Sequence, residues 1–310
     1  MIPGNFNYYR PANKPEALQL LGQFGDEGRI LAGGHSLIPM MKLRLASPAH
    51  LIDITCINEL KGISVGASHI EIGALTTQAA LIASEDLARA CPIIRETSTQ
   101  IADPQVRYCG TIGGNVGNGD PGNDMPALMQ CLDATFILES AGGTRQVPAG
   151  SFYQGPFFTS LMPGEMLTKV LIPSPPAGHG WAYRKLKRKV GDYATAAAAV
   201  MLEMSGGNVA RASIALTNLG STPLYAKDAC DRITGTPLDA ADIDAAASAA
   251  EAITAPSDDG RGSAEYRRRM AGVMVRRALA EAKSRAGDIP PAAQTTAPKS
   301  GGGMFGWLRG

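Results

Sequence analysis

Two glycine-rich segments carry residues whose backbone can hold an anion. Residues 31–37 read L-A-G-G-H-S-L, and residues 111–120 read T-I-G-G-N-V-G-N-G-D. Paired glycines let backbone N–H groups approach a ligand closely, because no Cβ stands in the way. A concave run of such groups binds phosphate. Two such loops indicate a diphosphate gripped from two sides, as in a dinucleotide cofactor; the alternative is a pair of tight turns.

A third glycine pattern does not indicate a Rossmann fold. Residues 117–122 read G-N-G-D-P-G and formally match the dinucleotide fingerprint. That fingerprint follows a strand and opens a helix, whereas this segment follows Gly113, Gly114 and Asn115. Asp120 would also place a negative charge in the phosphate loop, and Pro121 lacks an N–H donor.

The length and composition of the chain argue against several classes of protein. A chain of 310 residues with 45% hydrophobic residues forms one large domain or two of ordinary size. A net charge of +1 gives no reason to expect nucleic acid. No apolar run approaches the roughly 20 residues needed to span a bilayer. The first residues lack the basic and apolar regions of a secretory signal, so we expect a cytoplasmic protein.

The cysteines and histidines are scattered. No C-x-x-C occurs, which argues against a disulfide framework, a zinc site or an iron–sulfur cluster held by this chain alone. We expect reduced, mostly buried thiols at Cys56, Cys91, Cys109, Cys131 and Cys230. His35, in the first glycine loop, is the one histidine placed to contact a ligand. No hydrolytic triad or carboxylate pair is visible, so if this chain supports chemistry, a cofactor supplies it.

Hydrophobic periodicity and capping residues predict mixed helices and strands. Helices are predicted over residues 14–28, 37–45, 77–83, 92–101, 124–132, 239–253 and 263–286. Strands are predicted over residues 29–32, 50–54, 63–65, 70–73, 134–139, 167–172 and 181–186. Residues 194–204 are alanine-rich, but the S-G-G-N turn that follows predicts a β-hairpin with residues 209–216. Asn123 or Asp124 is predicted to cap the helix over 124–132. The alternative role of Asp124 is to accept hydrogen bonds from a ligand, and the two roles are compatible.

Two composition changes divide the chain. Residues 173–178 (P-S-P-P-A-G) are typical of a stiff interdomain linker. Residues 288–310 form a low-complexity tail that we expect to be disordered. The tail ends in M-F-G-W-L-R, which is either inert or a contact for a membrane surface or a partner.

The two loops resemble the A-G-G-x-S and T-I-G-G-N motifs of the flavin subunits of molybdenum hydroxylases. Further stretches resemble the carbon monoxide dehydrogenase branch of that family, and the likeness extends over about residues 1–286. The stretches are residues 1–4, 32–41, 92–105, 117–131, 185–189, 191–199 and 252–262.

The resemblance implies an α+β fold of the vanillyl-alcohol-oxidase/PCMH type. An FAD-binding domain would span residues 1–177, with two α/β subdomains at about 1–56 and 57–177. A smaller domain of antiparallel sheet and helices would span residues 178–287, before the tail at 288–310.

The resemblance to the flavin subunits also implies which residues bind FAD. The two motifs would hold the pyrophosphate, and Tyr193 would lie near the isoalloxazine. Ile101 and Leu167 have an alternative role as core, Lys185 as a surface charge and Tyr193 as packing. No catalytic side chain and no metal ligand is expected. The implied set is Ala32, Gly33, Gly34, His35, Ser36, Leu37, Ile101, Thr111, Ile112, Gly113, Gly114, Asn115, Asp124, Leu167, Lys185 and Tyr193.

The implied function is electron transfer. The chain would pass electrons from two [2Fe–2S] clusters of a small partner subunit through FAD to a quinone-type acceptor. A large molybdenum-cofactor subunit would oxidise carbon monoxide, in a dimer of heterotrimers. Alternatives are the flavin subunit of another molybdenum hydroxylase, acting on an aldehyde, xanthine or an N-heterocycle with NAD or another acceptor, and a nucleotide-binding module without redox function.

Overall fold

The structure is a computed structural model that describes residues 2–287. Its N-terminal part is a small parallel sheet with strand order β1-β3-β2. The strands are β1 (Asn7–Tyr9), β2 (Gly28–Leu31) and β3 (His50–Asp53), joined by helices α1 (Lys14–Phe24) and α2 (Leu37–Lys42). The predicted helix over 14–28 therefore ends earlier, at Phe24, and a short 3₁₀ turn (Gly25–Glu27) completes it. The chain enters the first glycine loop directly from β2.

A five-stranded antiparallel sheet follows, in the order β4-β5-β10-β6-β7. Its central strand, β10, is buried along most of its length. A two-stranded hairpin, β8–β9, lies between β7 and β10 in the chain. The strands are β4 (Ile63–Val65), β5 (His69–Gly73), β6 (Thr135–Ser140), β7 (Gly143–Pro148), β8 (Tyr153–Gly155), β9 (Phe158–Thr159) and β10 (Met166–Pro173).

Seven short helices occupy the connections of this part. They are α3 (Gln78–Ala83), α4 (Glu85–Ala90), α5 (Pro92–Gln100), α6 (Pro104–Cys109), α7 (Ile112–Gly117), α8 (Asp124–Cys131) and α9 (Ala149–Phe152). Sequence patterns predicted α3, α5 and α8 but missed the other four. The segment predicted as a second glycine loop is therefore a short helix, α7, which Thr111 caps through the N–H of Gly114.

The C-terminal part is a four-stranded antiparallel sheet, β11-β12-β13-β14, covered by helices. The predicted hairpin is confirmed, because β12 and β13 pair along almost their whole length. Its elements are β11 (Gly180–Leu186), β12 (Ala196–Ser205), β13 (Asn208–Thr217), β14 (Leu224–Tyr225), α10 (Lys227–Ile233), α11 (Ala240–Ala252) and α12 (Ala264–Arg285). The predicted tail over 288–310 lies outside the described residues.

Strand β12 is buried on both faces. Ala197 and Ala199 belong to the core that also contains α5 and α8. Ala196 and Ala198, which point the other way, belong to the core under α11 and α12. The C-terminal sheet is thus a middle layer between two sets of helices, with α5 and α8 on one side and α11 and α12 on the other.

No helix among the described residues is both long and apolar enough to cross a membrane.

Candidate cofactor-binding cleft

A cleft of about 1020 Å³ lies where the parallel sheet, the five-stranded sheet and the C-terminal part meet. Its volume is at the upper end of the range for small-molecule and cofactor sites, roughly 300–1,000 Å³. Every residue of the predicted binding set lines this cleft except Ile112, which is fully buried in the hydrophobic core. The structure therefore brings together segments far apart in the sequence.

The first glycine loop offers unused hydrogen-bond donors. The backbone N–H groups of Gly33, Gly34, His35 and Ser36 donate to no acceptor within residues 2–287. Ser36 is the N-cap residue of α2, and its hydroxyl makes no capping hydrogen bond there. Gly34 has a φ of 74°, a conformation that favours glycine. This run of N–H groups matches the anion site that the sequence predicted.

The second segment uses its N–H groups differently. Ile112 N–H donates to Thr76 O at 2.9 Å and Gly113 N–H to Ala74 O at 2.9 Å, while Gly114 N–H donates to Thr111 Oγ1 at 3.1 Å. The sequence led us to expect a second run of free donors here, but these three groups are already engaged. The segment instead builds one wall of the cleft.

Close packing explains two of the glycines. A Cβ on Gly33 would lie 2.2 Å from the carbonyl oxygen of Cys109 and 2.8 Å from Gly110 Cα. A Cβ on Gly113 would lie 2.6 Å from the Cβ of Ala74. Both distances are shorter than real contacts, so both positions require glycine. Gly33 lets the first loop cross the entrance to the second segment, and Gly113 lets the second segment pack against Ala74.

A buried ion pair forms another wall. Lys185 Nζ donates to Asp124 Oδ2 at 2.7 Å, and both side chains are almost fully buried. The Tyr183 hydroxyl donates to the other carboxylate oxygen of Asp124. Burial and the Asp124 charge raise the pKa of Tyr183 well above its usual value, which keeps the phenol protonated as a donor.

These contacts correct two predictions and add one residue. Of the two predicted N-cap candidates, Asn123 occupies that position of α8, so the capping alternative is confirmed for Asn123 and wrong for Asp124. Lys185 is buried, so it is not a surface charge. Sequence reasoning missed Tyr183, although Tyr183 and Lys185 are two apart on β11 and residues two apart share a face of a strand.

Tyr193 lies at the cleft, held by packing and charge. It is 43% exposed, and a Cβ on Gly122 would lie 2.9 Å from its ring. The Arg261 guanidinium stacks over the ring, 5.6 Å from its centroid. Partial burial and the nearby Asp120 carboxylate raise the pKa of Tyr193 to about 12. The ring is therefore neutral at physiological pH and presents an aromatic surface to the cleft.

Ile101 and Leu167 serve both roles considered for them. Each lines the cleft, and each also belongs to the main hydrophobic core. Their side chains give the cleft an apolar part that complements its polar loop.

Two family models match this chain. The model for the FAD binding domain in molybdopterin dehydrogenase covers residues 4–175. The model for the CO dehydrogenase flavoprotein C-terminal domain covers residues 181–282. The chain belongs to this flavoprotein family.

Relatives in the family cover almost the whole described chain. The carbon monoxide dehydrogenase medium chain of Afipia carboxidovorans is 60% identical over 286 residues, 92% of this chain and 99% of that protein. The carbon monoxide dehydrogenase medium chain of Hydrogenophaga pseudoflava is 47% identical, over 92% of this chain and 99% of that protein. The glyceraldehyde dehydrogenase medium chain of Sulfolobus acidocaldarius is 36% identical, over 91% and 99%.

Solved structures of related enzymes have the same fold as this chain. A chain of the reconstituted CO dehydrogenase from Oligotropha carboxidovorans matches with a TM-score of 0.91 and 60% identity, over 92% of this chain and 100% of that one. A chain of quinoline 2-oxidoreductase from Pseudomonas putida 86 matches with a TM-score of 0.87 and 34% identity, over 92% and 99%. The predicted fold class of the flavoprotein is confirmed.

This flavoprotein is an oxidoreductase subunit whose cofactor is FAD. The cleft fits that cofactor on physical grounds. The free N–H groups of residues 33–36 suit a pyrophosphate, and the ring of Tyr193 and the side chains of Ile101 and Leu167 provide apolar surface. The assignment of individual residues to parts of FAD stays a prediction.

Proposed function

We propose that this flavoprotein is the electron-transfer subunit of a molybdenum-containing carbon monoxide dehydrogenase. The observation that carries the proposal is the 60% identity to a carbon monoxide dehydrogenase medium chain, which extends over 99% of that protein. Bound FAD would accept electrons from the [2Fe–2S] clusters of a small partner subunit and pass them to a quinone-type acceptor. A large molybdenum-cofactor subunit would oxidise the substrate, and two such heterotrimers would form a dimer.

The chain's own residues bind and orient the cofactor in this proposal. The free N–H groups of residues 33–36 hold the pyrophosphate, and Tyr193 shields one face of the isoalloxazine. Asp124 accepts hydrogen bonds from both Lys185 and Tyr183. These contacts hold the polar groups of the buried pair in a fixed position beside the cofactor. No side chain is required to move a proton to or from carbon monoxide, because the substrate is oxidised on another subunit.

A spectroscopic experiment tests the proposal. The complex that copurifies with this chain is kept anaerobic, and its visible spectrum is recorded before and after carbon monoxide is added. We expect the flavin band to bleach with carbon monoxide. If the band ignores carbon monoxide and bleaches only with dithionite, the chain serves another substrate. An intact complex without flavin would overturn the proposal.

A second candidate is the flavin subunit of a hydroxylase acting on an aldehyde or an N-heterocycle. The match to a glyceraldehyde dehydrogenase medium chain, at 36% identity, and to a quinoline 2-oxidoreductase chain, at 34%, supports it. The same anaerobic sample is given a panel of aldehydes and N-heterocycles, followed by NAD or a quinone as acceptor. The substrate that bleaches the flavin band separates the two candidates.

The proposal also includes a place in the cell. We infer a cytoplasmic complex that contacts the inner face of the membrane through residues 288–310, which end in an apolar cluster with a tryptophan and an arginine. Truncation after residue 287 should reduce recovery of the complex with membranes. Unchanged recovery would refute the membrane contact and leave the enzymatic proposal standing.

A further inference from the structure

Gln78 is a buried amide without a partner. It is the first residue of α3, its exposed fraction is 2%, and it lines the cleft. Neither Nε2 nor Oε1 forms a hydrogen bond within residues 2–287. A buried polar group left unpaired costs about 1–3 kcal/mol, and such groups are rare in folded proteins. The position of this amide therefore needs a physical reason.

The backbone places Gln78 at the junction of the two glycine segments. Its own N–H donates to Gly110 O at 2.9 Å. The preceding residue, Thr77, forms an antiparallel bridge with Thr111. Gly110 is also the residue that the first loop crosses, since a Cβ on Gly33 would lie 2.8 Å from Gly110 Cα. The backbone of Gln78 thus lies next to the loop whose N–H groups are free, and the residue is part of the cleft lining.

The two ends of an amide define the ligand that satisfies it. Nε2 donates two hydrogen bonds, and Oε1 only accepts. A phosphate can satisfy the donor end alone, whereas a phosphate beside a sugar or polyol hydroxyl satisfies both. FAD offers that combination on either side of its pyrophosphate, as the ribityl chain or as the adenosine ribose.

We propose that Gln78 is an FAD-binding residue, with Nε2 donating to a phosphate oxygen and Oε1 accepting from the neighbouring hydroxyl. The proposal rests on FAD being the cofactor. It assigns to Gln78 a role that the sequence motifs do not include, and it accounts for both unpaired atoms at once.

The test compares the full-length Gln78→Met variant with the wild-type chain, both freed of FAD. Methionine preserves length and removes both polar atoms. We expect the dissociation constant for FAD, from titration of flavin fluorescence, to rise about tenfold to a hundredfold. The FAD-free variant should be at least as resistant to urea as the FAD-free wild type, because two unpaired buried atoms are gone. A merely structural glutamine would instead lower the stability of the FAD-free protein.

Thr97→Val is the matched control. The Thr97 hydroxyl is also fully buried and has no hydrogen-bond partner in the described part of the chain, but Thr97 does not line the cleft. This variant should leave FAD affinity unchanged. Equal FAD affinity for wild type and Gln78→Met would overturn the proposal and leave a buried water as the partner of the amide. A wild-type chain that binds no FAD would instead overturn the proposed function, so the two failures are distinguishable.

A second variant covers the case in which Gln78→Met does not fold. Gln78→Glu keeps the shape but places a carboxylate beside the phosphate. FAD affinity should be weak at pH 8 and recover at pH 5, where more of the carboxyl is protonated and can donate. A pH profile equal to that of the wild type would contradict the proposal.

Titrations with ADP and with FMN identify which hydroxyl of FAD donates to Oε1 of Gln78. Loss of ADP affinity in Gln78→Met indicates the adenosine ribose, and loss of FMN affinity indicates the ribityl chain. Either loss supports the proposal, and unchanged affinity for both contradicts it.

Discussion

Lys185 and Asp124 are charged side chains that the fold removes from water together. Their atoms are 2.7 Å apart, with side-chain exposures of 1% and 5%. Removing one partner of such a pair leaves an uncompensated buried charge, at a cost of about 3–5 kcal/mol. We therefore predict that Lys185→Met lowers the free energy of unfolding by about that amount, measured by urea denaturation followed by circular dichroism.

A double-mutant cycle completes this prediction. Lys185→Met combined with Asp124→Asn should cost less than the sum of the two single changes, because the neutral amide needs no cation. Lys169→Met is the control, since its pair with Glu71 is exposed and should contribute under about 1 kcal/mol. Additive costs at 185 and 124 would show that the pair is not coupled.

Substitution of Gly33 tests whether FAD binding requires the first glycine loop to pass close to the second glycine segment. Alanine at this position would place its Cβ 2.2 Å from Cys109 O, so the two segments must separate. We predict that Gly33→Ala loses most of its bound flavin, measured as the flavin-to-protein ratio after purification.

Gly22→Ala is the control for that change. A Cβ at Gly22 meets nothing within 4 Å, and the residue lies inside helix α1. There alanine should retain full flavin and stabilise the protein by about 0.5–1 kcal/mol. Full flavin in Gly33→Ala would mean that the loops can meet by another route.

Residue types predicted many of the residues that line the cleft, but not the contacts between them. Motif reasoning found the loops, because glycine pairs leave a local signature. It missed Tyr183 and Gln78, whose importance depends on which groups the folded chain leaves unpaired. It also expected free N–H groups at Ile112–Gly114, which tertiary contacts with Ala74 and Thr76 occupy.

At the scale of elements, an ion pair fixes the segment between β9 and β10 that borders the cleft. Arg145, on β7, binds Glu165 through two hydrogen bonds of 2.6 and 2.7 Å, and Glu165 also accepts from the N–H of Met162 at 2.8 Å. The Arg145 hydrogen bonds hold the pKa of Glu165 below its ordinary 4.5, against the effect of burial. The folded state therefore favours the ionised carboxylate.

The stability that the Arg145–Glu165 pair contributes therefore depends on pH. A lowered pKa contributes stability that is present above pH 4.5 and lost as the pH falls through the folded-state value. We predict that Glu165→Gln is less stable at pH 7 by about 1 kcal/mol, discounted because Arg145 is partly exposed, and that the difference shrinks as the pH falls below 4.5. Urea denaturation at each pH measures it. Glu265→Gln, from an exposed pair, is the control and should change the stability at pH 7 by less than this.

Length and environment decided which elements could be predicted. The longer helices and the hairpin over 194–216 show clear periodicity or a strong turn, and the structure confirms them. Helices α4, α6, α7 and α9 have six residues or fewer, too short for an apolar stripe to stand out. The alanines of β12 lack polar alternation because both faces of that strand are buried.

At the scale of the whole molecule, the N-terminal and C-terminal parts share one core. Tyr183, Ala197 and Ala215 of the C-terminal sheet pack in the same cluster as Ile93 and Met125. Polar contacts cross the same boundary, since Glu96 Oε1 accepts from the N–H of Tyr183 at 2.9 Å and Arg285 binds Glu96 at 2.5 Å. Without the other part, each would therefore expose its share of this common core.

We therefore predict that the full chain unfolds in one cooperative step, although the sequence predicts a domain boundary near residue 177. Calorimetry should give equal calorimetric and van't Hoff enthalpies. A fragment of residues 1–177 should expose the faces of α5 and α8, bind a hydrophobic dye and hold no FAD, because Lys185 and Tyr193 are absent. A chain ending at residue 287 is the control and should behave like the full chain. Two separate transitions, or a fragment 1–177 that unfolds sharply, would show instead that the N-terminal part folds by itself.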